Sequence, residues 1–350
     1  MLMGMLSLWA GLIFGSIGAF QFVYPELFDF LPFFKSRPLH VSLVVAWIFL
    51  TAIGGIYYYV PKYGLALYSE RLPKWHLGIF MITGLAVIGS YLVGKFGGRE
   101  YWEFPPVLAI PILFSWVIFG FNYAKTVFKI RDWPVYYWMW ATGILFFFIS
   151  FLEANSWVFP YVRGNVVREL TIQWKSYGAL VGSWNMLVYG TSIFIMEKIS
   201  GSEAISRSRI CFLMYFLGFT NLLFGWAHHT YIIPAAPWVK IVAYGISMTE
   251  LLILGKIIWQ WRSSLSEAKR FSNRLPFMFL MAADVWIFVN LTLALLISIP
   301  AINIYTHGTH ITVAHAMGST IGINTMILLA SVFFVFRPSL KEDKRHPNLV

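Results

Sequence analysis

Ten long apolar runs divide this chain, near residues 5–24, 39–60, 76–94, 105–124, 134–152, 176–196, 209–227, 237–258, 276–298 and 308–335. A hydrocarbon core of about 30 Å is crossed by about 20 apolar residues in a helix. Each run therefore has the length of one crossing. Backbone polar groups in lipid must be satisfied within the segment, so the runs are expected to be helices. The pattern predicts an all-α protein: a polytopic membrane helix bundle of about ten transmembrane helices. It also predicts a single transmembrane domain over 1–336 and a polar cytoplasmic tail over 337–350. The connections are too short for a separately folded soluble domain, and neither a low-complexity tract nor a convincing internal repeat stands out. The apolar N-terminus lacks a small-residue cleavage site after it and reads as the first span rather than a removable signal.

Composition sharpens this picture. Of 350 residues, 59% are hydrophobic and 12% charged, against about 25% charged in soluble domains. So little charge cannot cover a water-facing surface. The formal charge of +11 would suggest nucleic acid in a soluble protein. Here the basic residues sit in loops, so the positive-inside rule accounts for them and no nucleic-acid partner is implied. The loops after spans 2, 4, 6 and 8 and the C-terminal tail hold most of the Lys and Arg, including Lys62, Arg71, Lys125, Arg131, Arg207, Arg262 and Arg274. The loop 299–307 holds none. Both termini are therefore expected on the cytoplasmic side. The lone Cys211 excludes an internal disulfide and any all-cysteine metal site.

The histidines carry the candidate chemistry. With this orientation, His40, His228, His229, His307, His310 and His315 all fall in the outer layer of the membrane. His76 lies at the cytoplasmic start of span 3, and His346 lies in the tail. Ionisable groups at membrane depth are costly and usually functional, and imidazole is the commonest protein ligand for metals. Taken singly, His40 also suits an interfacial anchor, and the pair 228–229 a polar helix end. Together they favour a buried metal or haem site. A proton-coupled transporter would use intramembrane His and Glu as well, but it predicts inverted repeats and broken helices. In span 10, His315 and Met317 stand two residues apart, about 200° around a helix, so each could face a haem on its own side.

Several segments resemble the haem–copper oxidase superfamily subunit I, and most of all the large subunit of respiratory nitric oxide reductase. They are RPLHVSLVVAWIFLTAIGGIYYYVPK (37–62), GREYWEFP (98–105), GWAHHTYIIPAAPWVKIVAYGISMTE (225–250), NLTLALLISIPAINIYTHGTH (290–310) and THGTHITVAHAMGS (306–319). They occur in the family's order. The resemblance implies His40 as an axial ligand of a low-spin haem and His315 as the proximal ligand of a high-spin haem. It implies His228 and His229 on a non-haem iron or copper, and Glu250 beside that metal. Glu100 and Glu103 would lie near the haem propionates, where the family can also hold calcium.

The departures from the family are as informative. Met317 stands where the family has its second low-spin haem histidine. Methionine can ligate haem iron and raises its potential. The family's third metal histidine comes from span 6, which here reads QWKSYGALVGSWNMLVYG (173–190) and has no histidine. Collinear placement puts Tyr177 near that position, and Val181 and Asn185 where the reductase carries two glutamates. The family continues to twelve helices, and this sequence shows ten.

By this resemblance the chain is a membrane respiratory haem protein. It would reduce nitric oxide or oxygen at a high-spin haem and a non-haem metal, taking electrons through a low-spin haem from a donor subunit, cytochrome c or quinol. Tyr177 or Glu250 would serve the metal. A haem-bearing electron-transfer subunit that has lost the metal pair, or a structural subunit, is the alternative. A bacterial or archaeal cytoplasmic membrane is the expected location, with lipid as its surroundings.

Overall fold

The computed structural model describes residues 1–342. Among them no β-strand occurs, and one isolated bridge joins Arg99 and Trp102. Ten helical segments are long and apolar enough to cross a membrane. They are α1 (Leu2–Gln21), α2 (Phe33–Lys62), α3 (Leu72–Leu92), α4 (Pro106–Val127), α5 (Val135–Val158), α6 (Val166–Ser200), α7 (Arg209–His229), α8 (Pro237–Ser263), α9 (Arg274–Ser298) and α10 (His310–Phe336). Helix continues to Glu342, into the stretch expected to be a polar tail. Residues 343–350, with His346, lie outside the described residues. The chain forms two compact units, residues 1–129 and 130–350.

In the first unit, α1 meets α2 through small residues. Its buried positions are Gly4, Gly11, Gly18 and Gln21, while Leu2, Leu6, Trp9, Leu12, Ile13 and Phe20 stay exposed. Helices in lipid gain little from hydrophobic burial against each other, so close backbone approach at small residues drives their packing. The large apolar side chains of α1 are left for the acyl chains. Gly15 serves a more specific purpose. A Cβ there would lie 2.5 Å from Nδ1 of His40, so glycine makes room for that imidazole against α1.

In the second unit, α6 is longer than its apolar run. The run predicts 176–196, yet the helix begins at Val166, where the Asn165 side chain accepts from the Arg168 N–H at 2.9 Å. Asparagine at an N-cap satisfies a free helix N–H. The added turns carry Arg168, Glu169 and Lys175, and hydropathy alone does not see them. Lys175 pairs with Glu153 of α5 at 2.6 Å. At its far end Gly201 takes a left-handed φ of 67° and closes the helix.

Two irregular stretches, in α7 and α10, bear on the histidines. The last five residues of α7, Gly225–His229, tighten into a 3-10 turn. In α10, an α-helical start at His310–Met317 gives way to a π-helical stretch, Gly318–Thr325. Such π stretches are rare and often mark functional sites. Both irregularities flank the same group of histidines.

Candidate metal centre

The 3-10 turn closing α7 brings the His228 and His229 rings to a centroid separation of 4.0 Å. His315 lies about a turn and a half into α10. Its ring centroid comes within 5.7 Å of His229 and 6.4 Å of His228. One ligating nitrogen from each of the three lies within 4.8 Å of the others.

Each of the three histidines is held by neighbours. Ser247 of α8 places its Oγ 3.1 Å from His228 Nδ1. The Ser247 hydroxyl also reaches the Ala243 carbonyl at 2.9 Å, so its one proton can serve either partner. Nε2 of His228 is buried with no hydrogen-bond partner. A buried polar nitrogen without a partner is costly, and with the proton on Nδ1 it is the donor a metal needs. Asn303 Nδ2 donates to the His228 carbonyl at 2.9 Å and fixes the turn itself. The Trp174 indole of α6 stacks on His229, with centroids 6.2 Å apart and planes 22° apart. Asn290 of α9, with its amide nitrogen turned toward His315, donates to the His315 carbonyl at 2.9 Å, and its oxygen accepts from Ser319 N–H at 3.2 Å. It fits against Gly318, where a Cβ would come within 2.3 Å of its side-chain amide.

Glu250 lies on α8 one turn beyond Ser247, about 4.5 Å along the axis. Since Ser247 touches His228, the carboxylate is one turn from the level of the histidine pair. Counted from the start of span 8, it would instead lie three turns or more away. The difference arises because the pair packs beside the third turn of α8 rather than at its first. Glu250 accepts from Asn221 Nδ2 of α7 at 3.3 Å. Tyr177 Oη accepts from Gln173 Nε2 at 3.1 Å. It stands one turn from Trp174, and it is Trp174 that reaches His229. Asn185 Oδ1 accepts from Asn324 Nδ2 of the π stretch at 3.0 Å, which ties α6 to α10. His307 has its ring centroid 6.1 Å from Trp174, whereas His310 is exposed. Sequence reasoning misses Ser247, Asn290 and Trp174. The visible signal for Ser247 and Asn290 is a polar residue inside an apolar run.

The remaining candidates divide between the units. In the first, His40 Nδ1 lies 2.7 Å from the Gly11 carbonyl. A histidine that donates one ring N–H to a carbonyl presents the other nitrogen as a fixed ligand. With the room left by Gly15, His40 therefore suits an axial haem ligand. Arg37, three residues earlier, binds Glu100 and Glu103 at 2.8 Å each. This leaves Oε2 of Glu103 buried without a hydrogen bond. In the second unit, Met317 is 39% exposed.

The donor set fits a metal ion, since three imidazoles converge and one buried nitrogen has no other partner. A haem between His315 and the pair does not fit as the residues stand. Iron–imidazole bonds take about 2 Å, and the far porphyrin face keeps neighbours at about 3.5 Å. The sum exceeds the 4.8 Å within which all three nitrogens lie.

Fold and site together define a polytopic helical membrane protein with a histidine cluster, able to hold a metal ion, inside its bundle. The sequence matches the family Cytochrome C and Quinol oxidase polypeptide I over residues 1–347, and the chain belongs to that family, the haem–copper oxidase subunit I family. It is 23% identical to a nitric oxide reductase subunit from Stutzerimonas stutzeri, over 92% of this chain and 71% of that protein. It is 23% identical to cytochrome c oxidase subunit 1 of Rhodobacter capsulatus, over 93% of this chain and 64% of that protein. Proteins of this family bind haem and a metal centre, and the relatives are respiratory oxidases and reductases.

Proposed function

We infer that this chain is a membrane redox subunit of nitric oxide reductase type, which binds and reduces nitric oxide or oxygen at a metal centre carried by His228 and His229. The observation that supports it most is the convergence of three imidazoles, one of them His228, whose buried Nε2 has no hydrogen-bond partner. The metal, iron or copper, would supply a redox-active site for a small gas. A low-spin haem on His40 would carry electrons from a donor subunit, cytochrome c or quinol. Glu250 would hold a proton close to the metal, its carboxylate oriented by Asn221. Ser247, accepting from Nδ1 of His228, would keep the coordinating nitrogen unprotonated. Tyr177 would shape the α6 wall, and Glu103 Oε2 is the oxygen open to a calcium ion. Both termini would face the cytoplasm of a bacterial or archaeal cell.

The test uses purified full-length protein in detergent or nanodiscs. Reduced-minus-oxidised spectra and metal analysis are combined with anaerobic nitric oxide consumption and oxygen uptake under a chemical reductant. Gas consumption that requires the non-haem metal is the expected result. Protein loaded with haem and metal that consumes neither gas would overturn the reading in favour of an electron-transfer or structural subunit.

A further inference from the structure

We propose that His228, His229 and His315 ligate one and the same metal ion, with the α10 histidine supplying the third imidazole that α6 lacks. The proposal deepens the site in the functional reading above, and rests on that reading only for the chain's redox role.

Spacing is the first argument. An ion bound at about 2.0–2.1 Å from each nitrogen spans donors up to about 4.2 Å apart. All three nitrogens already lie within 4.8 Å of one another, so a small inward movement closes the site. The same spacing is too short for a porphyrin between His315 and the pair. A second argument comes from His228, whose Nε2 is buried and has no hydrogen-bond partner. The third concerns what replaces a span-6 histidine. On the α6 side Trp174 stacks on His229, and an indole cannot ligate, whereas His315 already brings an imidazole nitrogen into range.

Three neutral imidazoles make a borderline donor set. They suit iron, copper, cobalt or zinc and disfavour calcium and magnesium. Three protein ligands also leave a coordination position open, where a diatomic gas or water can bind.

X-ray absorption of the full-length protein, loaded with copper(II) after purification, counts the imidazoles on the metal. The expected result is a three-imidazole shell in the wild type and a two-imidazole shell in His315→Ala. Copper affinity in the variant should fall at least about tenfold, with haem content unchanged. A metal shell untouched in His315→Ala, together with loss of a haem, would overturn the proposal. Should His315→Ala not accumulate, the wild-type shell decides alone, and two imidazoles there would contradict it. A three-imidazole protein that consumes no gas would remove the functional reading and leave this site standing. Turnover by a protein whose His315 holds haem would do the reverse.

Discussion

Ser247 Oγ lies 3.1 Å from Nδ1 of His228, and the other nitrogen of that ring is buried without a hydrogen bond. A proton held on Nδ1 by this α8 hydroxyl would leave Nε2 of the α7 histidine open to a metal. Removing the hydroxyl should cost affinity without removing a ligand. Loss of such an orienting partner typically costs about 10–100-fold in metal affinity. Ser247→Ala is expected to weaken copper binding by that order in a chelator competition, with the imidazole count unchanged and Ser247→Thr restoring affinity. Equal affinity in wild type and Ser247→Ala would contradict the assigned tautomer.

Gly318 opens the π stretch of α10 and leaves room for Asn290, whose amide holds the His315 carbonyl. An added methyl would meet the Asn290 side chain at 2.3 Å. Overpacking of this kind costs about 1–3 kcal/mol. Gly318→Ala should lower the unfolding midpoint in detergent and weaken metal binding together. A variant as stable as wild type, with full metal affinity, would show that Asn290 does not need this space.

Glu250 can be tested without disturbing its surroundings. Glutamine there still accepts from Asn221 through its amide oxygen but carries no charge and no titratable proton. Glu250→Gln should abolish gas turnover while haem spectrum and metal content stay as in wild type. Unchanged nitric oxide and oxygen reduction would refute a catalytic role for this carboxylate.

His40 lies in the first compact unit and the histidine cluster in the second. His40→Ala is therefore expected to lose the low-spin haem signal while the non-haem metal is retained. A low-spin haem signal that persists in His40→Ala would remove His40 from the haem.

Much of the molecule is legible from residue types. The ten crossings, the all-α class and the family follow from apolar run length and from motifs such as GWAHHTY and THGTHITVAHAMGS, and helices and family match agree with them. Local backbone geometry is the illegible part. Hydropathy places the start of α6 at 176 because it registers only apolar residues, whereas the Asn165 cap begins the helix ten residues earlier. Ideal helical periodicity cannot foresee that Gly225–His229 tightens into a 3-10 turn. That turn brings the paired rings beside His315 and the third turn of α8. Collinear placement does not single out Trp174, one turn before Tyr177, whose indole stacks on His229.

The account stands most directly on the metal content of the purified full-length protein. Non-haem iron or copper at one equivalent per chain, retained through dialysis and lost in His228→Ala and in His229→Ala with the haem spectrum unaltered, is the predicted result. Wild-type protein that carries no non-haem transition metal, and takes up none when iron or copper is offered, would contradict it.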